Sequence, residues 1–247
     1  MKTIENRRSI RKYSDKTISE EELTQILSIA MRTPTMGNLQ LYSVVITRNK
    51  EEKLKLSPAH FNQPMLTGAN VVLTFCADFR RTTIWANNRK AIPGYDNFLS
   101  FMNAATDALL YCQTVTILLE EKGWGTCFLG TTIYNPQMII EVLNLPKLVM
   151  PIATLTVGYP AEHPEQNERL PVEAIIHRDS YKDYTKESID KFYLEKESLS
   201  VNKEFININK KETLAQVFTD IRYTKKDNET LSKNFIKVLQ SQGFSLK

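Results

Sequence analysis

The chain has 247 residues, 42% apolar and 24% charged, with 32 Lys/Arg against 28 Asp/Glu for a formal charge of +4. That length and mix fit one large soluble domain built of helices and strands, or such a domain with an extension. Residues 201–247 hold nine basic and five acidic side chains, which is the whole surplus, so the dense basic stripe of a nucleic-acid-binding surface is excluded.

Met1 to Asn6 lead to Arg7 without an apolar h-region, so no signal peptide is expected and the location expected is cytoplasmic. Ser19-Glu20-Glu21-Glu22 predicts a capping box, Ser19 being the N-cap and Glu22 reaching back to its backbone N–H. Leu23, Ile26, Leu27 and Ala30 follow at helical spacing, which gives an amphipathic helix over 20–32 that Pro34 ends. Residues 42–47 read as a strand, 51–56 as a short helix, and 70–77 as a second strand too apolar to wet either face.

The longest helical pattern runs from Asn97 to Lys122, roughly 39 Å at 1.5 Å per residue. Its apolar positions surround much of the cylinder, so it is expected to be buried on most sides, in a core or at a subunit interface. Asn103, Asp107 and Gln113 interrupt it as a membrane span. Gly123 stops it. A third strand is expected at 127–129, a short helix at 136–143 and a fourth strand at 150–157, ending at Gly158-Tyr159-Pro160. A polar loop covers 161–171, and beyond Asp179 helices are expected at 186–197, 212–219 and 229–241. The boundaries drawn are a core over 1–178 and a helical extension over 179–247 that must pack on the core or on a partner chain.

Cys76, Cys112 and Cys127 form no C-x-x-C pair and read as free thiols, in keeping with a reducing compartment. His60, His163 and His177 lack ligand spacing, so no metal is expected. There is no phosphate-binding P-loop and no nucleophile elbow. Gly123-x-Gly125 follows a helix rather than a strand, the wrong context for a dinucleotide fingerprint.

Arg7-Arg8-Ser9-Ile10-Arg11 sets three guanidinium groups and a hydroxyl within five residues. Guanidinium forks match phosphate oxygens bidentately, whereas an ordinary charge run faces water; the segment alone leaves both readings open. Pro34-Thr35-Met36-Gly37-Asn38-Leu39-Gln40 adds a loop whose amides can read the polar edge of a flat heterocycle.

These two segments, with Gly123-x-Gly125-x-x-x-Leu129-Gly130-Thr131 and Arg169-Leu170-Pro171, resemble the FMN-dependent nitroreductases, in particular the oxygen-insensitive NAD(P)H nitroreductase and flavin reductase branch. The resemblance implies an α+β fold, with a central mixed sheet flanked by helices, a long buried helix and a helical C-terminal extension. It also implies a homodimer whose flavins lie at the subunit interface. Arg7, Arg8, Ser9 and Arg11 resemble the FMN phosphate and ribityl grip, and Arg169 a second arginine on that phosphate. A lysine usual two residues before Arg169 is Asn167 here, leaving Asn167 or Glu168 in its place. Thr35, Met36 and Asn38 resemble the loop against ribityl and ring. Gln63 matches a glutamine on the flavin's pyrimidine side, though by itself it is an ordinary loop amide.

Phe128, Leu129, Gly130 and Thr131 resemble the segment over the flavin, whose backbone N–H groups approach N5. The family often has a second glycine at Thr131 and an arginine at Ile133. A missing side chain at Gly130 would let backbone approach the ring closely. No catalytic side chain is expected, since the chemistry is the cofactor's. The activity implied is two-electron transfer from NADPH or NADH to a small-molecule acceptor (a nitroarene, quinone, azo compound or flavin) by a ping-pong scheme. Lys203, Lys210 and Lys211 incline the donor towards NADPH. The alternatives are an FMN-binding electron carrier or flavin store without NAD(P)H turnover, and a non-catalytic scaffold.

Overall fold

A computed structural model describes residues 1–246. The chain divides into two compact units, residues 1–165 together with 231–247, and residues 166–230. The segment 166–178, expected with the core, thus groups with the second unit, and the last helix returns to the first.

The first unit holds α1 (Lys2–Glu5), α2 (Glu20–Ala30), β1 (Tyr42–Thr47), α3 (Lys50–Leu56), α4 (Pro64–Gly68), β2 (Val71–Asp78), α5 (Arg80–Asn88), α6 (Phe98–Glu121), β3 (Gly125–Leu129), α7 (Pro136–Val142) and β4 (Val149–Gly158). The sheet order is β1-β2-β4-β3. The expected α+β class holds. Each of the three pairings is antiparallel, so the mixture of strand directions expected for the sheet does not occur among the described residues.

β2 and β4 lie at the centre and are buried at every residue. Alternate side chains leave opposite faces of a strand, and both faces are covered. Val71, Leu73 and Phe75 pack with Leu155 and Val157 against Tyr111, Val115 and Leu119 of α6 and against α2. Val72 joins Leu56, Leu66, Leu129 and Ile139 in a second cluster. That two-sided burial is why these strands read as unbroken apolar runs.

α6 is buried along one stripe, including Phe101, Ala104, Ala108, Tyr111, Val115 and Leu119. Within one chain its other side is open: Leu99 is 69% exposed, Met102 and Leu109 44% and Leu110 42%. The expectation of burial on most sides is therefore met on one side only by this chain's own atoms. Ser19 does cap α2, accepting from the Glu22 N–H at 3.0 Å. The Glu22 carboxylate, however, accepts from the Ser19 hydroxyl at 3.1 Å, not from its backbone N–H.

The second unit holds α8 (Lys186–Ser198), α9 (Ser200–Ile208) and α10 (Leu214–Gln216), followed by a π-helical turn at Val217–Arg222. The helix expected at 212–219 is thus short and continues as a wider turn, and α9 was not expected. α11 (Lys225–Ser241) starts four residues before its expected position; from Leu231 onwards it belongs to the first unit, within which Val238 and Leu239, with Phe244, pack with Leu41, Phe79, Phe101 and Met150. Among the described residues no helix is long and apolar enough to cross a membrane.

Candidate functional site

Two glycines place the arginine segment. Gly125 and Gly158 face each other across β3 and β4. A Cβ on Gly125 would lie 2.7 Å from Ile10 Cβ, and one on Gly158 would lie 2.6 Å from Tyr13 Cδ1. Their bare backbone lets residues 10–13 run directly over the sheet end. Ile10 N–H donates to Thr126 O at 2.9 Å, and Ser14 N–H to Tyr159 O at 2.9 Å. The Tyr13 hydroxyl donates to Ile10 O at 2.6 Å, and Glu162 Oε1 accepts from the Arg11 and Lys12 backbone N–H groups at 2.6 and 3.1 Å.

The three arginines, adjacent in sequence, part company on this scaffold. Arg7 Nε lies 3.5 Å from Glu120 Oε1; burial pushes that carboxyl's pKa up, opposed by Thr126 and Arg7. Arg8 donates to His163 Nε2 at 2.6 Å and Pro164 O at 3.1 Å. Ser9 is half-buried, and Arg11 is exposed. The Arg11 guanidinium bears on the Cys127 thiol, whose pKa burial raises and Arg11 and Arg7 draw back down. Arg11 is the arm of the segment that faces solvent.

The loop after α2 hangs from one carboxylate. Asp107 of α6 is fully buried. It accepts from the Thr35 hydroxyl, from Met36 N–H at 2.9 Å and from Leu41 N–H at 3.1 Å. Thr35 Oγ1 in turn accepts from Gln40 N–H at 2.9 Å. Gly37, Asn38 and Gln40 have φ of 55°, 56° and 48°, the left-handed region in which glycine and asparagine are least strained. Gln40 Nε2 donates to Asn38 Oδ1 at 2.9 Å, and Met36 is 43% exposed. Thr35 is thus committed to holding the loop, while Met36 and Asn38 face outward. The sequence marks Asp107 only as a polar break in an apolar helix, yet a lone acid there must find partners if buried, and the loop supplies them.

β3 leads into the third station. Phe128 is 45% exposed and Leu129 is buried. A Cβ added at Gly130 would meet nothing within 4 Å, so no packing within the chain demands a glycine there; its bareness leaves room for something outside the chain. Thr131 Oγ1 lies 2.8 Å from His60 Nδ1, and Gln63 N–H donates to His60 O at 3.2 Å. One residue therefore ties the Gln63 loop to the Gly130–Thr131 turn. His60, which sequence reasoning considered only as a metal ligand, is fully buried, and burial lowers its pKa to about 4.

Arg169 belongs to the second unit, where its guanidinium donates to Asn167 O at 3.2 Å and Glu168 O at 2.8 Å. Glu168 pairs with Lys196 of α8 at 2.6 Å, which holds its carboxyl below the usual range. Lys211 pairs with Asp220 at 3.0 Å, whereas Lys203 and Lys210 are exposed.

A match to the model of the Nitroreductase family spans residues 4–159. An FMN reductase [NAD(P)H] of Bacillus subtilis is 36% identical over 183 residues, 73% of this chain and 74% of that protein. A solved Bacteroides fragilis protein, provisionally assigned as an oxidoreductase, is 60% identical with a TM-score of 0.97, covering 98% of this chain and 99% of its own. The NfrA1 nitroreductase of B. subtilis superposes with a TM-score of 0.84 at 26% identity, covering 98% of both chains. The chain belongs to the nitroreductase family.

Proposed function

We propose that the chain is an NAD(P)H-dependent FMN oxidoreductase that passes two electrons to nitroaromatics, quinones, azo compounds or flavins, donor and acceptor using one site in turn. The observation that carries this reading is the layout of β3. Arg11 sits by Cys127, and the bare Gly130 lies three residues further along, about 10 Å at strand spacing. A cationic arm at one end and open backbone at the other suit a phosphate joined through a ribityl chain to a flat ring.

The residues fit that cofactor. Arg11 would meet the phosphate, with Ser9 beside it and Arg7 and Arg8 bracing the segment through Glu120 and His163. Met36 and Asn38, Gln63, and Phe128 to Thr131 would border the ribityl chain and ring. When bound, FMN supplies a two-electron acceptor and donor. The chain's part is to hold it, to leave one ring face open to small molecules, and to stabilise negative charge with N–H donors and cations. The hydride donor is NADPH or NADH; the exposed cations Lys203 and Lys210 incline the reading towards NADPH, because an extra phosphate is a ligand for lysine.

The exposed stripe of α6 supports a homodimer. Contiguous exposed apolar surface marks an interaction face, and a two-fold pair buries the same stripe from both copies. The first test is an absorbance spectrum of the purified protein before and after anaerobic NADPH addition. A flavin spectrum that bleaches, with FMN released on heating, is expected. A colourless protein from flavin-replete cells overturns the reading. A bound flavin that NADPH and NADH both leave oxidised turns it into a carrier or store.

A further inference from the structure

His60 has two ring nitrogens and a neutral ring, because burial lowers its pKa to about 4. A neutral imidazole has one N–H donor and one bare acceptor. Nδ1 faces Thr131 Oγ1 at 2.8 Å, and Nε2 is buried with no protein partner. If Thr131 donated to Nδ1, the proton would sit on Nε2 as an orphaned buried N–H. If Nδ1–H donates to Thr131, the orphan is a bare acceptor. Orphaned buried N–H groups are the rarer of the two, and the full burial of the His60 side chain makes the difference count.

With Oγ1 accepting from His60, the Thr131 hydroxyl proton is turned away from the imidazole. Thr131 is half-buried and follows Gly130, whose Cβ position is open space. Thr132, by contrast, spends its hydroxyl inside the fold, donating to Leu129 O at 2.9 Å and bonding Thr154 Oγ1 at 3.0 Å. The same His60 accepts the Gln63 N–H through its carbonyl, so the donor is set in one rigid piece with the Gln63 loop.

We propose that His60 is a positioning residue whose Nδ1–H, donated to Thr131 Oγ1, holds the Thr131 hydroxyl as an outward hydrogen-bond donor to the flavin. This rests on the flavin reading above and adds a side-chain contact at the position where the resemblance offers only backbone. Threonine there replaces freedom of approach with a fixed donor.

Two measurements on the holoenzyme decide it. Long-range ¹⁵N–¹H spectra show which nitrogen of His60 carries the proton; Nδ1 is expected, and a proton on Nε2 overturns the proposal. FMN affinity is read from the fluorescence of flavin freed on dilution. Thr131→Ser should stay within about twofold of the parent, whereas Thr131→Val should bind FMN about 3- to 10-fold more weakly, the worth of one hydrogen bond. His60→Leu should match Thr131→Val, and the double variant should be no worse than either, since both remove the same contact. Should His60→Leu fail to fold, the serine–valine comparison still stands.

Thr131→Val holding FMN as tightly as the parent overturns the proposal and leaves the flavin reading intact. A serine variant as weak as the valine also overturns it, because that result reports packing. A parent without FMN removes both readings together.

Discussion

At the scale of single residues, the arginine segment shows how partners divide labour among like side chains. Arg7 and Arg8 are held by Glu120, His163 and Pro164, and Arg11 alone faces outward. Replacing Arg11 with alanine should therefore cost flavin affinity and little else. Charge-assisted hydrogen bonds are worth about 1.5–3 kcal/mol each, which puts the loss at roughly 10- to 200-fold, measurable as FMN fluorescence on dilution. Activity should largely return with excess FMN, and the unfolding midpoint should barely move, as for most exposed positions. Parent-like flavin retention in Arg11→Ala would remove Arg11 from the phosphate site.

His60 makes a second residue-scale prediction, on stability. Its folded pKa is about 4, against 6.5 for the ordinary side chain. Between those values the unfolded chain binds a proton that the folded chain does not, so stability falls as pH drops from 6.5 to 4, by about 1.4 kcal/mol per unit. Above pH 6.5 the contribution is constant. Urea unfolding of the parent and of His60→Asn across pH 4–7 should show the shallower pH dependence in the variant. Parallel curves would mean the imidazole is not held neutral.

At the scale of elements, Asp107 is where α6 and the 35–41 loop become one object. Its carboxylate accepts from Thr35, Met36 and Leu41. Alanine there leaves buried N–H groups without an acceptor, at about 1–3 kcal/mol each. Asp107→Ala should thus lose about 2–4 kcal/mol in urea unfolding, and Asp107→Asn, which keeps one acceptor oxygen, about half as much. A loss under ~0.5 kcal/mol in the alanine variant would show that the loop holds itself. The sequence is silent on this because the donors, the Thr35 hydroxyl and two backbone N–H groups, lie some 70 residues away.

The same distinction between local and distant causes explains which elements were legible. β1 announced itself through its β-branched residues, β2 through its unbroken apolar run, α2 through its cap and spacing, and α6 through its apolar pattern. α5 did not: its backbone donors at Arg80 and Arg81 are capped by Asp78, the last residue of β2, so the signal sits inside a strand. α9 was hidden because Val201, Phe205 and Ile208, spaced for a helix, are interleaved with Asn202, Lys203, Glu204 and Asn207, and Ile206 falls off their stripe. In the candidate site, the residue types on offer were readable, but their commitments were not. That Arg8 turns to His163, that Thr35 turns to Asp107, and that Thr131 meets His60 all depend on residues far off in sequence.

At the scale of the whole molecule, the open stripe of α6 calls for a partner. Phe98, Leu99, Met102, Leu109 and Leu110 are each more than 40% exposed. At 100° per residue they fall within an arc of about 120°, opposite the buried stripe that carries Ala104, Tyr111 and Val115. Fully burying one such side chain is worth about 1.5–3 kcal/mol, so even the half of each that remains uncovered sums to a strong drive for association. A second copy of the chain satisfies this with no further component, since an isologous pair presents the stripe to itself. Light scattering should give twice the chain mass for the parent at micromolar concentration. Leu109→Glu with Leu110→Glu places two charges against two charges across the two-fold axis, where desolvation makes each costly. That variant should run at the mass of one chain while keeping the far-ultraviolet dichroism of the parent. A parent that runs as a monomer, or a double variant that stays dimeric, would move the interface off α6.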